Sequence, residues 1–390
     1  MKCFSIFILL LFCSISAVHS QVRISVVVLD EKGVPIPYAS IYNRSVNRGV
    51  ITNNEGRFEM ICQTNDAIVI RCMGYQEFKR TAGQLQYAET VTLKQAIFNL
   101  DEVIVTPKSI DAVSIVKRFH DNIRRNYPKQ TTKINGVYKE YSRVGSEYSG
   151  YLQCDIDIHI NSIASRSRPD YKTKVNDYAL FRNSDDNKKR RYIITDAYYS
   201  HFWIYWYDFL WNYKNYKYRH DGYTTYDESE LVKIYFQPKR YEKPVRQYKG
   251  TMYIDMKTHA LVFLHFEMVP YKQDYIFFRG NWQKTIKLDN KIIFGFSDGY
   301  YYPTHVIFKA TILVKEPVDE DKRLPINKDA LTVDFVHNFF TKNVEYNPKG
   351  FIGENTPPDQ LISNGLLNQS SDYKSDFILE TEQEKQLLKK

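Results

Sequence analysis

The chain has 390 residues, of which 43% are hydrophobic and 25% are charged, and its formal net charge is +9 at pH 7. This length is sufficient for two domains that each bury an apolar core. The positive charge is small for the length, and the basic run 188–191 follows a polar stretch typical of a solvated loop, so we expect no nucleic-acid binding.

The first 20 residues have the features of a secretory signal peptide. An apolar run ends at Cys13, and the residues after it place Val18 and Ser20 at the −3 and −1 positions of a cleavage site. A signal anchor would need about 18 or more apolar residues, and a lipoprotein signal ending at Cys13 is the alternative. We expect residues 1–20 to be removed and the protein to be exported, either to the periplasm or in association with the outer membrane.

Residues 21–95 alternate short apolar segments with turn residues. Val22–Leu29 has the composition of a strand, and Asn53–Gly56 predicts a turn whose last residue takes a positive φ. Residues 58–62 and 68–72 predict a neighbouring pair of strands. Roughly six or seven short strands with turns every 8–12 residues predict a small Ig-like β-sandwich.

Three motifs in this segment, VVVLDEKGVPIPYASIY, GVITNNEGRFEM and MGYQEF, have a distinctive order and spacing. They resemble the carboxypeptidase regulatory-like domain, a transthyretin-like β-sandwich. Asn53 stands where this family usually has Asp and Ser25 where Gly is common, but the turn glycines Gly33, Gly56 and Gly74 are present. The resemblance implies a transthyretin-like fold for residues 21–95.

Residues 98–106, FNLDEVIVT, resemble the stretch that follows the same sandwich in TonB-dependent receptors of the polysaccharide-uptake type. About 285 residues remain after it, whereas such a receptor needs a plug and a barrel of about 22 strands. We therefore expect residues 96–108 to form a linker strand that leaves the first domain.

Residues 109–128 predict an amphipathic helix. Ser109 can cap the helix, Asp111 favours the N-terminal end of its dipole, and Pro128 ends it. Its apolar stripe consists of Ile110, Val113, Val116, Phe119 and Ile123. This layout resembles uncharacterised envelope proteins of Bacteroidetes type, in which the sandwich precedes a β-rich domain of unknown function.

Residues 129–350 predict a larger antiparallel β-rich domain. Residues 255–259 predict a hairpin turn, and the succession of strands and short turns predicts a meander that curls around a helix or a cavity. The predicted strands are Gly150–Ile160, Glu230–Gln237, Gly250–Asp255, Ala260–Val269, Ile276–Arg279, Lys291–Phe296 and His305–Val314. Residues 351–390 predict a polar tail with a terminal helix.

Recognisable catalytic motifs are absent from the sequence. None of the nine His residues is followed by Glu three positions later, as a zinc carboxypeptidase requires. There is also no nucleophile elbow, phosphate-binding loop or dinucleotide-binding fingerprint. We therefore predict a protein that is not an enzyme and that holds no cofactor and no metal.

The cysteines have two interpretations. Cys62 and Cys72 are predicted on neighbouring strands, so a disulfide bond between them is geometrically conceivable in an oxidising compartment. The alternative is two small buried hydrophobic residues.

Two polar clusters are candidates for chemistry. Asp155, Asp157 and His159 alternate with Ile residues on one predicted strand, so they share a face at intervals of ~6.6 Å. Two neighbours of this set could hold a metal, and the alternative is a solvated strand face. His265 and Glu267 share a face in the same way and could act as an acid/base pair.

The densest local signal is an aromatic run. Twelve of the 21 residues from Tyr198 to Tyr218 are aromatic, and three of the four Trp residues lie there. Phe202, Trp203, Trp206, Phe209 and Leu210 recur at helical spacing, which predicts a short helix that packs on the sheet. The functional alternatives are an aromatic platform that stacks on sugar rings and a membrane-interface segment. The candidate binding residues are Trp203, Trp206, Tyr207 and Trp211.

These observations lead to one main hypothesis. According to this hypothesis, the protein is exported to the cell envelope and is peripherally associated with the outer membrane. Its β-rich domain binds an envelope protein partner, a glycan or a lipid-like ligand. The alternatives are a hydrolase whose site is drawn from the two polar clusters, and a small outer-membrane β-barrel or TonB-system accessory.

Overall fold

The computed structural model describes residues 21–46, 48–72, 75–95, 111–182, 202–226, 229–240, 247–270, 274–278, 281–315, 330–350 and 381. They fall into two compact units, one containing the described residues up to 95 and the other containing those from 111 to 350. The predicted signal peptide, the linker strand 96–108 and nearly all of the predicted tail 351–390 lie outside the described residues.

The first unit consists of two sheets and one short helix. Its elements are β1 (Gln21–Leu29), β2 (Ser40–Asn43), β3 (Arg48–Ile51), β4 (Arg57–Gln63), β5 (Ala67–Arg71), β6 (Phe78–Thr81), α1 (Ala82–Leu85) and β7 (Thr90–Thr92). One sheet has the order β4-β1-β7, with β7 parallel to β1, and the other has the order β3-β2-β5-β6.

Alternation of apolar and polar residues explains the core of the first unit. Ile24, Val26 and Val28 of β1 are fully buried, and the residues between them are half-buried or exposed. Phe58 and Cys62 of β4 point into the same core, which also contains buried residues of the second sheet. A strand places successive side chains on opposite faces, so this pattern buries one face of each sheet against the other.

The turn before β4 has the predicted conformation. Gly56 has φ +72°, and a Cβ atom at this position would lie 2.6 Å from the carbonyl oxygen of Val28. The Asn53 side-chain oxygen accepts hydrogen bonds from the backbone N–H groups of Glu55 and Arg57, at 3.0 Å each. A positive φ and a close backbone approach both favour glycine, so the sequence-based assignment of this turn is confirmed.

The predicted pairing of the strands around Cys62 and Cys72 is wrong. Residues 57–63 belong to the sheet of β1, whereas residues 67–71 belong to the other sheet, so the chain crosses between sheets at the turn that ends at Asp66. The structure contains no disulfide bond between Cys62 and Cys72. Burial raises the pKa of the Cys62 thiol to about 11, which keeps it protonated and unreactive.

The second unit contains the helix α2 (Ala112–Asn126) and, among the described residues, one sheet of eleven strands. The strands are β8 (Thr132–Val144), β9 (Glu147–Ile160), β10 (Tyr171–Arg182), β11 (Tyr216–Tyr226), β12 (Ser229–Pro238), β13 (Tyr248–Asp255), β14 (Leu261–Met268), β15 (Ile276–Phe278), β16 (Asn281–Ser297), β17 (Tyr300–Lys315) and β18 (Leu331–Tyr346).

The order of strands in this sheet is β10-β9-β8-β18-β17-β16-β14-β13-β12-β11, and the short β15 pairs with β16 beside this path. All pairs are antiparallel. The chain from β11 to β18 follows the predicted meander, and β18 then returns to pair with β8. The fold class predicted from the sequence is confirmed: mainly β, with a β-sandwich, one amphipathic helix and a larger antiparallel sheet.

Helix α2 begins later than predicted. Its N-cap is Asp111, whose carboxylate accepts hydrogen bonds from the backbone N–H of Val113 at 3.0 Å and the hydroxyl of Ser114 at 2.6 Å. The predicted cap Ser109 lies outside the described residues. A carboxylate that satisfies two donors of the first turn is an effective cap, and these hydrogen bonds lower the pKa of Asp111.

The C-terminal end of α2 is attached to the sheet. Tyr127 is fully buried, and its hydroxyl accepts a hydrogen bond from the backbone N–H of Leu261 at 2.9 Å and donates one to the carbonyl of Leu261 at 3.1 Å. The Asn126 side chain also donates to the carbonyl of Thr258 at 2.9 Å. We call the sheet face that α2 covers the helix side, and the opposite face the outer side. No helix within the described ranges is long and apolar enough to cross a membrane.

We predict that Tyr127→Phe destabilises the second unit. The substitution leaves the buried N–H and C=O of Leu261 without the hydroxyl, so the free energy of unfolding should fall by about 1–3 kcal/mol. All four Trp residues lie in the second unit, so urea unfolding followed by Trp fluorescence measures this change. Tyr87→Phe is the control because Tyr87 is 85% exposed in the first unit. An unfolding midpoint equal to that of the control would contradict the prediction.

We also predict that the first unit loses stability in acid through Asp66. Its carboxylate accepts hydrogen bonds from the Asn43 side chain at 2.7 Å and the Gln63 N–H at 2.9 Å, and the hydrogen bond from Asn43 lowers its pKa. The folded pKa then lies below the unfolded value of about 3.9. The Asp66 hydrogen bonds therefore make their full contribution to the free energy of unfolding above about pH 4, and this contribution is lost as pH falls through the folded pKa. Calorimetry should show the stability difference between wild type and Asp66→Asn shrinking over that range, and a constant difference would contradict the assignment.

Candidate functional site: an aromatic surface beside helix α2

The backbone of the aromatic run differs from the predicted short helix. Residues 202–211 form two 3-10 turns, Ile204–Trp206 and Asp208–Leu210, which are separated by Tyr207 in an extended conformation. Bulky rings lose side-chain freedom against the preceding turn of a helix, and no side chain caps either turn. The break in the helix turns some rings towards the sheet and others towards solvent.

The inward rings attach the segment to the helix side of the sheet. Phe209 stacks on Phe236 with ring centroids 4.3 Å apart and an interplanar angle of 18°. It also contacts Phe266 at 5.2 Å. Tyr207, one of the predicted binding residues, is buried edge-on against Phe266 at 4.8 Å. Tyr207 therefore belongs to the core below the surface and is not available to a ligand.

The other three predicted binding residues lie at the surface. Trp206 and Trp211 are 51% and 41% exposed, and Trp203 is half-buried, with its ring centroid 5.9 Å from that of Trp206. The indole N–H of Trp203 donates to the carbonyl of Ser165 at 2.7 Å, and that of Trp211 donates to the carbonyl of Tyr205 at 3.3 Å. Because these two N–H groups are used within the protein, a ligand would meet the ring faces.

Helix α2 extends this surface. The His120 ring lies 6.0 Å from the Tyr205 ring and 6.1 Å from the Tyr213 ring, and its Nδ1 is 3.3 Å from the Tyr213 hydroxyl. The exposed Lys117 places its Nζ 5.7 Å from the centroid of the Tyr213 ring. Burial raises the pKa of the Tyr213 phenol, so the phenol stays neutral. We call the set Trp203, Tyr205, Trp206, Trp211 and Tyr213 the aromatic surface.

The polar side chains of β9 form ion pairs on the outer side of the sheet. Lys342 Nζ lies 2.9 Å from Asp155 Oδ1, and Lys133 Nζ lies 3.2 Å from Asp157 Oδ2. Burial lowers the pKa of His159. No group of three or more His, Cys, Asp or Glu within the described ranges could hold a metal ion. This strand face is therefore half-buried, and its two carboxylates are paired with lysines.

The structure does not pair His265 with Glu267. His265 Nε2 lies 3.1 Å from Asp289 Oδ1 on β16, and the hydrogen bond from His265 lowers the pKa of Asp289. Glu267 instead lies 3.9 Å from Lys249. In the strand order, β14 is five strands from β9. The two polar clusters considered for a hydrolase site therefore do not meet.

Sequence reasoning missed a buried polar cluster on the helix side. The Tyr138 hydroxyl donates to Glu140 and lies 3.4 Å from His337 Nδ1, while His337 Nε2 lies 3.9 Å from Glu140 Oε2. The side chains of His337 and Glu140 are almost completely buried. The spacing of Tyr138 and Glu140 on one strand indicates a shared face. Nothing local could have indicated a partner on β18, which is 199 residues away from Tyr138.

A second missed group lies within the aromatic segment itself. Asp208 Oδ1 accepts a hydrogen bond from the Tyr216 hydroxyl at 3.1 Å. Burial raises the pKa of Asp208, because the charged form of a carboxylate is disfavoured among aromatic rings. A carboxylate in the middle of an aromatic run was the available signal in the sequence.

Sequence comparison finds a similarity that includes the first unit. Residues 24–105 match the family model of the CarboxypepD_reg-like domain. The chain is also 32% identical over 96 residues to the TonB-dependent receptor SusC of Bacteroides thetaiotaomicron. That match covers 24% of this chain and 9% of the receptor, so the chain corresponds to only a small part of the receptor's length.

Structural comparison gives distant likenesses. A proposed outer membrane lipoprotein-sorting protein domain from Vibrio parahaemolyticus has a TM-score of 0.29 and 10% identity, over 62% of this chain and 96% of that domain. A LolA superfamily protein from Nitrosomonas europaea has a TM-score of 0.25 and 9% identity, over 65% of this chain and 97% of its own. Likenesses at these TM-scores carry no argument about fold or function.

The match to the family model covers the three motifs that suggested the resemblance. The described residues up to 95 form a two-sheet unit in which Gly33 and Gly56 have positive φ. It also extends to residue 105, beyond the predicted domain boundary at residue 95. Residues 24–105 are therefore similar to the CarboxypepD_reg-like domain.

Proposed function

We propose that the protein is an exported, ligand-binding protein of the cell envelope, and that its second unit binds a glycan through the aromatic surface. The signal-like first 20 residues support export. The 32% identity over 96 residues to a TonB-dependent receptor supports an envelope location, in the periplasm or at the outer membrane.

The exposure of Trp206 and Trp211 carries this proposal. Burying a large apolar side chain contributes about 1.5–3 kcal/mol to folding, yet these two indoles remain about half exposed beside buried rings of the same segment. Trp rings offer a large, rigid apolar face at low entropic cost. The C–H faces of a sugar ring fit such a face, while the sugar hydroxyls remain in water.

The arrangement of the polar groups favours binding without catalysis. Asp155 and Asp157 of β9 are held in ion pairs with lysines. His265 of β14 pairs with Asp289 of the neighbouring strand β16, and β14 lies five strands from β9 in the sheet. None of these groups faces the aromatic surface, which lies on the helix side. A hydrolase would need an acid or a base near its bound substrate.

We predict that the double substitution Trp206→Ala and Trp211→Ala weakens glycan binding at least about fivefold, because each removes a ring face worth roughly 0.5–1.5 kcal/mol. Isothermal titration of residues 21–390 with neutral oligosaccharides, acidic oligosaccharides and muropeptides measures the affinity. Trp282→Phe is the matched control, since Trp282 lies on β16 away from the aromatic surface.

Two results would overturn the proposal. One is the absence of binding to every saccharide of the panel by the wild-type protein. The other is equal binding by the wild type and the double variant. Retention of binding by Trp282→Phe, with an unchanged unfolding midpoint in all variants, assigns any loss to the aromatic surface.

A further inference from the structure

A second group of exposed apolar side chains lies on β15 and the start of β16. Ile276 is 63% exposed, Phe277 is 45% exposed and Ile286 is 42% exposed. They are three of the six large hydrophobic side chains that are exposed in the described part of the second unit. Soluble proteins rarely expose a group of large apolar side chains unless the group is an interaction site.

The strand pairing explains why these side chains are exposed. β14 pairs with β16 only at residues 289–293, so the first residues of β16 extend past it and pair with the three-residue strand β15. Phe277 lies opposite Trp282, which in turn lies opposite Lys315 of β17. The Phe277 and Trp282 rings contact each other edge-on at 5.5 Å.

Lysines accompany the rings on the same face. The Tyr275 ring has Lys315 Nζ at 4.8 Å and Lys284 Nζ at 6.0 Å from its centroid. Asp274, the residue before Tyr275, is exposed. The face therefore combines three aromatic rings with two ammonium groups. Interfacial Trp and Tyr flanked by Lys are the combination that proteins place at the surface of a bilayer.

We propose that this edge, formed by Tyr275, Ile276, Phe277, Trp282, Lys284 and Lys315, is a docking surface for a bilayer that contains anionic phospholipid. The apolar side chains enter the interfacial layer, and the two lysines lie at the level of the lipid phosphates. This surface is separate from the aromatic surface of residues 203–213 and does not depend on the proposed glycan binding.

The geometry favours a bilayer over a protein partner. Ile276 and Phe277 are consecutive strand residues, so their side chains point to opposite faces of the narrow β15 edge, and both are exposed. A protein interface covers one face, whereas partial insertion into lipid buries both. Six side chains are also few for a stable protein interface, which needs about 20–30 residues on each side.

The test is flotation of residues 21–390 with vesicles of phosphatidylcholine, with and without phosphatidylglycerol. The wild type should float with the anionic vesicles and bind the neutral vesicles at least about tenfold more weakly. The variants Ile276→Ser/Phe277→Ser and Lys284→Glu/Lys315→Glu should each lower binding to anionic vesicles at least about tenfold. Ile61→Ser is the control for loss of an exposed apolar side chain, since Ile61 is 70% exposed in the first unit.

Three outcomes would overturn the proposal. They are no flotation of the wild type, equal flotation of the wild type and both edge variants, and equal loss of flotation in Ile61→Ser. Light scattering adds a fourth: if the wild type is a dimer and the edge variants are monomers, the edge is a contact between copies of this chain. Unfolding midpoints measured for every variant separate loss of binding from loss of fold.

Discussion

The paired hydrogen bonds between Tyr127 and Leu261 are the contact on which the candidate site depends. They join the end of α2 to the backbone of a central strand, and the buried Tyr127 ring also contacts Phe119 and Phe294. A phenol that satisfies both backbone groups of one strand residue leaves a single position for the end of the helix. Because the helix is rigid, this attachment also fixes His120 one to two turns earlier, and with it the edge of the aromatic surface.

The aromatic run serves two purposes within one short segment. Phe209 and Tyr207 fill the helix side of the sheet, where stacked and edge-on contacts with neighbouring rings stabilise the core. Trp206 and Trp211 point to solvent and contribute far less to folding. The two 3-10 turns make this division, because a regular helix would have placed residues three and four apart on one face. The inward rings thus hold the outward rings in fixed positions, which lowers the entropic cost of binding a ligand.

Local patterns predicted local features well. The turn at Gly56, the buried positions Val116, Phe119 and Ile123 of α2, and the alternation along β9 each depend on residues close together in sequence, so their chemistry is visible there. The predicted stripe of α2 was wrong at Val113, which is half-buried, and it lacked the buried Ala112 and Ile115. The sequence could not indicate that the strands carrying Cys62 and Cys72 belong to different sheets, because pairing depends on β1 and β2 elsewhere in the chain.

Tertiary contacts determined the rest of the candidate site. Whether Trp206 or Tyr207 faces the solvent depends on which ring finds a partner such as Phe266 on a strand about 60 residues later, a long-range contact that helical spacing does not encode. The cluster of Tyr138, Glu140 and His337 likewise exists only because β18 returns to pair with β8. Pairings over such separations are set by the whole sheet.

The two exposed surfaces of the second unit differ in the physical forces that they use. The aromatic surface presents ring faces whose indole N–H groups are largely satisfied inside the protein, and such contacts depend little on ionic strength. The β15–β16 edge combines rings with Lys284 and Lys315, and salt screens the attraction of lysines to phosphates over distances of about 8–10 Å. Their supports differ in the same sense. The aromatic surface is held by a helix and by buried rings, which suits recognition of a defined shape. The edge includes the three-residue strand β15, which among the described residues pairs with β16 alone, and this suits a fluid surface that needs no exact fit.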